Sequence, residues 1–198
     1  MSYFNKQASE WDSPEKIQMM ALLAEKTRDV LGLDEPLDVM DFGCGTGLFG
    51  LEFLDHAKSL LGVDTSKGML EAFNKKIEGA RHIDSILMDL ETQSLNQKFD
   101  LIVSAMAFHH LVQPAKMIQT LRDLLRSKGR LAIIDLDHED GSFHPDPKQM
   151  GVHHHGFSES EVQQWAKDAK MKLNYRIINT IHKNDKGYKQ FLAVFSKA

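Results

Sequence analysis

Val39-Met40-Asp41-Phe42-Gly43-Cys44-Gly45-Thr46-Gly47-Leu48-Phe49-Gly50 is the stretch on which the reading of the fold turns. A short apolar run meets a carboxylate, three glycines follow at alternate positions, and an amphipathic segment comes next. That pattern is a strand, a tight turn and the start of a helix. Glycine stands where the backbone takes a positive φ or lies against a ligand, because it has no Cβ. Alternate glycines clear one side of the turn, so a flat or charged ligand can rest on the backbone N–H groups at a helix N-terminus.

Upstream, Ser13-Pro14-Glu15 reads as a helix start, with Ser as N-cap and Pro at the first helical position. Ile17, Met20, Ala21, Ala24, Val30 and Leu31 supply its apolar face, and Gly32 stops it. Pro36 then introduces the first strand, over residues 37–42. Residues 3–11 form either a lid or a packed arm.

Downstream, residues 47–56 read as a helix with Leu48, Leu51 and Leu54 inward. A second strand, 60–63, ends at Asp64. Ser66 caps a helix striped by Met69, Leu70, Phe73 and Ile77. A third strand, 82–88, ends at Asp89, and a fourth, 99–104, is nearly all apolar. Pro114 opens a helix through Met117, Ile118, Leu121, Leu124 and Leu125; Gly129 ends it before a fifth strand, 130–135. Ser158-Glu159-Ser160-Glu161 is a capping box for a helix with Val162, Trp165, Ala166 and Ala169 on one side. Strands 173–181 and 188–195 close the chain as a hairpin around Asn184-Asp185-Lys186-Gly187. Continuous apolar strands alternating with helices give a doubly wound α/β sheet. The expectation is seven strands, mostly parallel, with a C-terminal antiparallel hairpin. One domain spans 1–198, in which 1–35 form an arm and helix covering the site and 136–157 an insert after the fifth strand.

The chain has 198 residues, with 24 Lys and Arg against 28 Asp and Glu, a formal charge of -4. A nucleic-acid footprint needs a basic stripe, and none is read. No apolar run approaches the roughly 20 residues of a membrane helix. No apolar leader is read at the N-terminus. Cys44 is the sole cysteine, so intrachain disulfides are impossible. The expectation is a cytoplasmic protein with no nucleic-acid or membrane partner and an open oligomeric state.

Ligands of such sheets bind at the carboxyl ends of the strands, near the switch point. Four of those five ends carry an acid: Asp41, Asp64, Asp89 and Asp135. A crevice crowded with carboxylates expects hydroxyls, amines or a cation. Residues 45–50 also match G-x-G-x-x-G, and Asp64 lies near the distance of a ribose acid, so a nicotinamide oxidoreductase is an alternative. Against it, Asp41 and Gly43 precede the motif, a carboxylate there repels a pyrophosphate, and Asp89 is left unexplained. A cofactor-binding module without catalysis is the other alternative.

With the acids in place, the chain resembles the small single-domain class I S-adenosylmethionine-dependent methyltransferases, of the type 11/25-like kind. Asp41-Phe42-Gly43-Cys44-Gly45-Thr46-Gly47 matches their acid-x-Gly-x-Gly-x-Gly signature, and Phe99-Asp100-Leu101-Ile102-Val103-Ser104 with His109-His110-Leu111 resembles their fourth-strand block. Arg126-Ser127-Lys128-Gly129 departs from their usual Pro-Gly-Gly turn. The resemblance implies a Rossmann-like three-layer sandwich and S-adenosylmethionine as cofactor, with S-adenosylhomocysteine as product. It implies that Gly43, Gly45 and Gly47 cradle the methionine part and ribose, and that Asp41 holds the loop or the ammonium. Asp64 would accept both ribose hydroxyls. Asp89 would accept the adenine amine beside the Leu90 N–H, and Met69 would pack on the adenine. Ser104 and Met106 would line the pocket, with Cys44 and Thr65 completing the cofactor shell and Cys44 acting as a loop filler.

A general base is needed only if the acceptor must lose a proton, and His109 or His110, after the fourth strand, are the candidates. The insert holds Glu139, Asp140, His144 and His153-His154-His155, which could collect a cation, line the pocket or lie solvated. Successive residues of an extended segment point to opposite sides, so at most two of the triplet share a site. Asp135 is a further candidate for the pocket lining. No metal is assigned. With no added domain and no basic face, a small-molecule methyl acceptor is expected.

Overall fold

In the computed structural model, which describes residues 3–197, the apolar runs become strands of one sheet. They are β1 Leu37–Phe42, β2 Ala57–Asp64, β3 Ile83–Leu87, β4 Phe99–Ala105, β5 Leu125–Leu136, β6 Met171–Lys183 and β7 Lys186–Lys197. The α-helices are α1 Tyr3–Gln7, α2 Pro14–Leu31, α3 Lys67–Lys76, α4 Pro114–Leu124 and α5 Glu159–Asp168. The sheet order is β3-β2-β1-β4-β5-β7-β6. The first five strands are parallel, and β7 runs antiparallel to both β5 and β6. The order reverses between β1 and β4, which opens the crevice where such sheets take their ligands.

Both faces of the sheet are covered, which is why β4 reads as a continuous apolar run. On one face Met117, Ile118 and Leu121 of α4 and Val162, Trp165 and Ala166 of α5 pack on the sheet. On the other face Leu23, Ala24 and Leu31 of α2 meet Leu70 and Phe73 of α3. Each large apolar side chain so buried contributes about 1.5–3 kcal/mol relative to exposure. The helix starts follow the expected chemistry: the Ser13 hydroxyl accepts from the Lys16 N–H, and Ser158 with Glu161 forms a reciprocal capping box. Among the described residues no helix is long and apolar enough to cross a membrane.

Three expectations are corrected. Residues 47–56 do not form an α-helix; the segment is a loop followed by a 3-10 helix, Gly50–His56. The cause is Asp41, whose buried carboxylate accepts from the Gly50 N–H at 3.1 Å and leaves no room for a Cβ there. Burial then repeats every third residue, at Gly50 and Phe53, and Leu54 turns outward. On α2, Ile17 is exposed, and the core face is Leu23, Ala24, Thr27 and Leu31. Thr27 is admitted because its hydroxyl donates to the Leu23 carbonyl at 2.7 Å. Finally, α4 stops at Leu124 and β5 begins at once with Leu125, which pairs with Phe99 ahead of a register shift.

Candidate functional site

A cavity of about 610 Å³ opens at the carboxyl ends of β1, β2 and β4. Its floor at one end is the glycine turn. Gly43 has φ +69°, and a Cβ on it would overlap the Ala107 methyl, so the β1 turn packs directly against the turn after β4 here. The Gly43 and Cys44 N–H groups donate to the Val63 carbonyl, fastening the turn to β2.

Three acids surround this turn in different ways. Asp41 is buried beneath it and is spent on Gly50 through Oδ2. Asp64 Oδ2 accepts from the Gly45 N–H at 2.8 Å, and Oδ1 accepts from the Ser66 N–H at 2.7 Å. Each oxygen keeps a second lone pair for a ligand hydroxyl. Asp89 Oδ1 accepts from the Glu91 N–H, and Oδ2 from the Thr92 hydroxyl. Burial, and secondarily the nearby Asp64, pushes the Asp41 carboxyl up to about 7. Burial raises Asp64 too, and lifts the Cys44 thiol well above its ordinary range, so Cys44 is a neutral filler. Neither Asp41 nor Asp64 has an ion-pair partner among the described residues. Two adjoining, uncompensated carboxylates under a Cβ-free turn fit a cationic ligand that carries hydroxyls, as the expected cofactor does.

Of the residues picked from sequence, Asp41, Gly43, Cys44, Gly45, Asp64, Thr65, Met69, Asp89, Leu90, Met106, His109 and His110 line the cavity. Gly47 and Ser104 are not among the lining residues. Gly47 faces Phe73 and Leu51 in the layer behind the loop. The Ser104 hydroxyl donates to the Phe42 carbonyl at 2.8 Å, tying β4 to β1. Asp135 also stands behind the wall. Its Oδ1 lies 2.7 Å from His109 Nδ1, and its Oδ2 accepts from the His109 backbone N–H at 3.2 Å. Burial alone would raise the Asp135 carboxyl, but the His109 ring and these hydrogen bonds hold it below the usual carboxylate range.

The insert closes the far end of the cavity. His153 and His154 both donate backbone N–H groups to the His109 carbonyl. The triplet then splits three ways: His153 lines the cavity, His154 packs on Phe157, and His155 Nδ1 lies 3.6 Å from Glu139 Oε1. His144 is buried in the wall, its ring 4.9 Å from that of His109. Burial, and then His109, pushes His110 and His144 down to about 4. Among the described residues no group of three or more His, Cys, Asp or Glu side chains is placed to hold a metal ion.

Three lining groups carry no sequence motif. Tyr3, Phe4 and Trp11 roof the cavity from the N-terminal arm, Met19 and Met20 come from α2, and Lys183 from the end of β6. The one signal for the His109–Asp135 pair was position, since both residues follow or end neighbouring parallel strands.

Residues 40–133 match the methyltransferase domain family. An uncharacterized methyltransferase of Schizosaccharomyces pombe is 31% identical over 151 residues, covering 68% of this chain and 53% of that one. The malonyl-[acyl-carrier protein] O-methyltransferase of Acetivibrio thermocellus is 29% identical over 140 residues, covering 69% of this chain and 48% of its own. The chain thus spans about half the length of these curated relatives. In fold it is similar to an S-adenosylmethionine-dependent methyltransferase of Aquifex aeolicus, with a TM-score of 0.73, 20% identity and 98% of each chain covered. With the acid-ended strands, the glycine turn and the switch-point crevice, these likenesses support a class I S-adenosylmethionine-dependent methyltransferase.

Proposed function

We propose that this chain transfers the methyl group of S-adenosylmethionine to a small-molecule acceptor. The observation that carries the reading is the pair of uncompensated carboxylates, Asp41 and Asp64, around the glycine turn at the mouth of the crevice. Bound there, the cofactor supplies a methyl group on a sulfonium, electrophilic without help from the protein. The chain's task is then alignment and exclusion of water. Asp64 is assigned the ribose hydroxyls, Asp89 and Leu90 the adenine edge, and Met69 one adenine face. Asp41 holds the loop from beneath and offsets the cofactor's positive charge. Thr65 and Met106 complete the wall. His109, backed by Asp135, is the base for an acceptor that must lose a proton. His110 is left as lining: its Nδ1 meets only the neutral Gly151 carbonyl at 3.0 Å, with no carboxylate to stabilise an imidazolium, and burial pushes it down to about 4.

The oxidoreductase alternative loses its physical basis with the helix expected over 47–56. A pyrophosphate needs an α-helix N-terminus beyond the glycines, and this segment is a loop and a 3-10 helix behind a buried acid. A small acceptor is favoured because the cavity must hold cofactor and acceptor together in about 610 Å³, under a roof of aromatic side chains.

Calorimetry with S-adenosylmethionine, S-adenosylhomocysteine and NADH is the test. Both adenosyl compounds are expected to bind and NADH is not. Asp64→Ala should weaken S-adenosylhomocysteine by about 1.5–3 kcal/mol, the loss of hydrogen bonds to a charged acceptor. NADH binding without adenosylhomocysteine binding overturns the reading.

A further inference from the structure

Beyond methyl transfer itself, the histidines at the far end of the cavity specify what the acceptor offers. Asp135 is ionised, so it can only accept; His109 Nδ1 therefore carries the proton of their 2.7 Å hydrogen bond. In the neutral tautomer that geometry fixes, the lone pair is on the other ring nitrogen of His109, Nε2, on a side chain that lines the cavity. His144 has the opposite polarity. It is 8% exposed, it lines the same cavity, and its Nδ1 is sealed from solvent without a hydrogen-bond partner. A buried N–H without a partner costs about 1–3 kcal/mol, so the proton sits on Nε2 and the orphaned atom is the lone pair. Burial, the largest cause, keeps the His144 ring neutral, with the Lys183 charge adding to it and Asp135 opposing. One imidazole thus presents an acceptor and its neighbour, 4.9 Å away between ring centres, presents a donor.

A hydroxyl oxygen is the group that satisfies both at once. A protonated amine offers His144 nothing to bond. A carboxylate would face the His109 lone pair with its own. The surrounding wall is aromatic and apolar: Phe4 stands edge-on to His110 at 5.0 Å, and Phe143 edge-on to His144 at 4.8 Å. The two lysines that line the cavity are already engaged, Lys16 over the Trp11 ring and Lys183 on the Phe143 carbonyl. We propose that the acceptor is a phenol, held with its O–H donating to His109 Nε2 and its oxygen accepting from the His144 Nε2–H. The proposal rests on the methyltransferase reading above. A phenol also suits the base, since a histidine near neutral pH can take a phenolic proton far more readily than an aliphatic alcohol's. In the step, the phenol oxygen forms its bond to the methyl carbon as the carbon–sulfur bond breaks. The electron pair leaves on sulfur, the phenolic proton passes to His109 Nε2, and His144 stays on the oxygen as its charge develops. The proton returns from His109 to solvent after release of the methyl ether.

The test has two arms, run on the full chain after adenosylhomocysteine binding has been measured. In the first, S-adenosylmethionine labelled in its methyl group is incubated with pools of ring-matched phenols, anilines and benzoic acids. Label is expected in the phenol pool as an ether that resists alkali. Label in the anilines, label released as methanol by alkali from the benzoic acids, or no label at all in a protein that binds adenosylhomocysteine overturns the proposal. Failure to bind adenosylhomocysteine would instead overturn the methyltransferase reading beneath it. In the second arm, His144→Phe should lower kcat about 100-fold, as loss of a donor to a developing oxyanion does. His144→Gln, which keeps an N–H donor, should retain most of kcat. Adenosylhomocysteine affinity should stay within about twofold in both. Equal losses in the two variants, or full activity in His144→Phe, rule His144 out of this role. His109→Gln should lower kcat about 100-fold or more and remove the acidic limb of the pH profile, where protonation of the base silences the wild type.

Discussion

Asp41 holds most of the site's electrostatic tension in one side chain. It is buried, its Oδ2 is fixed by Gly50, and burial with Asp64 nearby pushes its carboxyl up to about 7. An unfolded aspartate titrates near 3.9, so the folded protein holds this proton more tightly. The group's contribution to stability is therefore complete below about pH 4 and is lost as pH rises through about 7. Asp41→Asn, which keeps an acceptor for Gly50, removes that titration. Chemical denaturation of the free proteins should show the variant gaining about 3 kcal/mol on wild type between pH 4.5 and pH 8. The same titration couples to the cofactor. A bound cation favours the ionised carboxylate, so S-adenosylmethionine should bind about tenfold more tightly at pH 8 than at pH 6 in wild type. The Asp41→Asn profile should be flat. A pH-independent affinity in wild type would take Asp41 out of the cation's field.

At the level of elements, the N-terminal arm is fastened to the cofactor loops at two points. Asn5 Oδ1 accepts from the Gly68 N–H and the Ser66 hydroxyl, both at 2.8 Å, where α3 begins. Asp12 accepts from the Thr46 hydroxyl at 2.5 Å and pairs with Lys76 Nζ at 2.7 Å, while Lys76 also donates to the Thr46 carbonyl. Between these clamps α1 and the following turn carry Phe4 and Trp11 over the cavity. Asp12→Ala should cost no more than about 1 kcal/mol of global stability, since the ion pair is about one-third exposed. A loss of that size, felt locally, should speed adenosylhomocysteine release about fivefold. Trp11 fluorescence in stopped flow reads it, and an unchanged release rate would mean the arm does not hold the ligand. The elements also set what the sequence could disclose. Strands were legible because β4 and β5 are buried on both faces, and helix starts because Ser13 and Ser158 cap through their own side chains. The segment 47–56 was not, because its geometry is dictated by Asp41, nine residues before Gly50 in the chain, and local periodicity carries no trace of that bond. Thr27 was missed because a buried hydroxyl turned onto its own helix looks polar in a sequence. The acids that line the cavity, Asp41, Asp64 and Asp89, were legible as strand ends. The pairing of His109 with Asp135, 26 residues apart, appears only once β4 and β5 lie side by side.

Over the whole molecule the cavity is polar in two senses: carboxylates Asp41, Asp64 and Asp89 at one end, the imidazoles of His109, His110 and His144 at the other, with burial pushing His110 and His144 down to about 4. The two ends are built by different parts of the chain. The acid end belongs to the β1, β2 and β3 turns and the arm clamped to them. The imidazole end belongs to the turn after β4 and the segment after β5, which is joined to that turn by the His153 and His154 N–H bonds to the His109 carbonyl. Between them β4 and the central stretches of β5 and β7 are buried, so they should open only with global unfolding, while surface segments with few packed neighbours open locally at far lower cost. Ligands that touch one end should therefore quiet one set of segments. Hydrogen exchange is the measurement. S-adenosylhomocysteine alone should slow exchange in residues 3–12, 43–50, 64–68 and 89–92 and leave residues 139–155 nearly unchanged. Adding a phenolic acceptor should then slow residues 107–111 and 139–155, with further change in the arm confined to the turn around Phe4, which stands edge-on to His110. The central strands should stay slow throughout, because their exchange already requires unfolding. If cofactor alone protected the 139–155 segment fully, the two ends would be one cooperative unit, and the acceptor's selectivity could not reside in the insert independently of the cofactor.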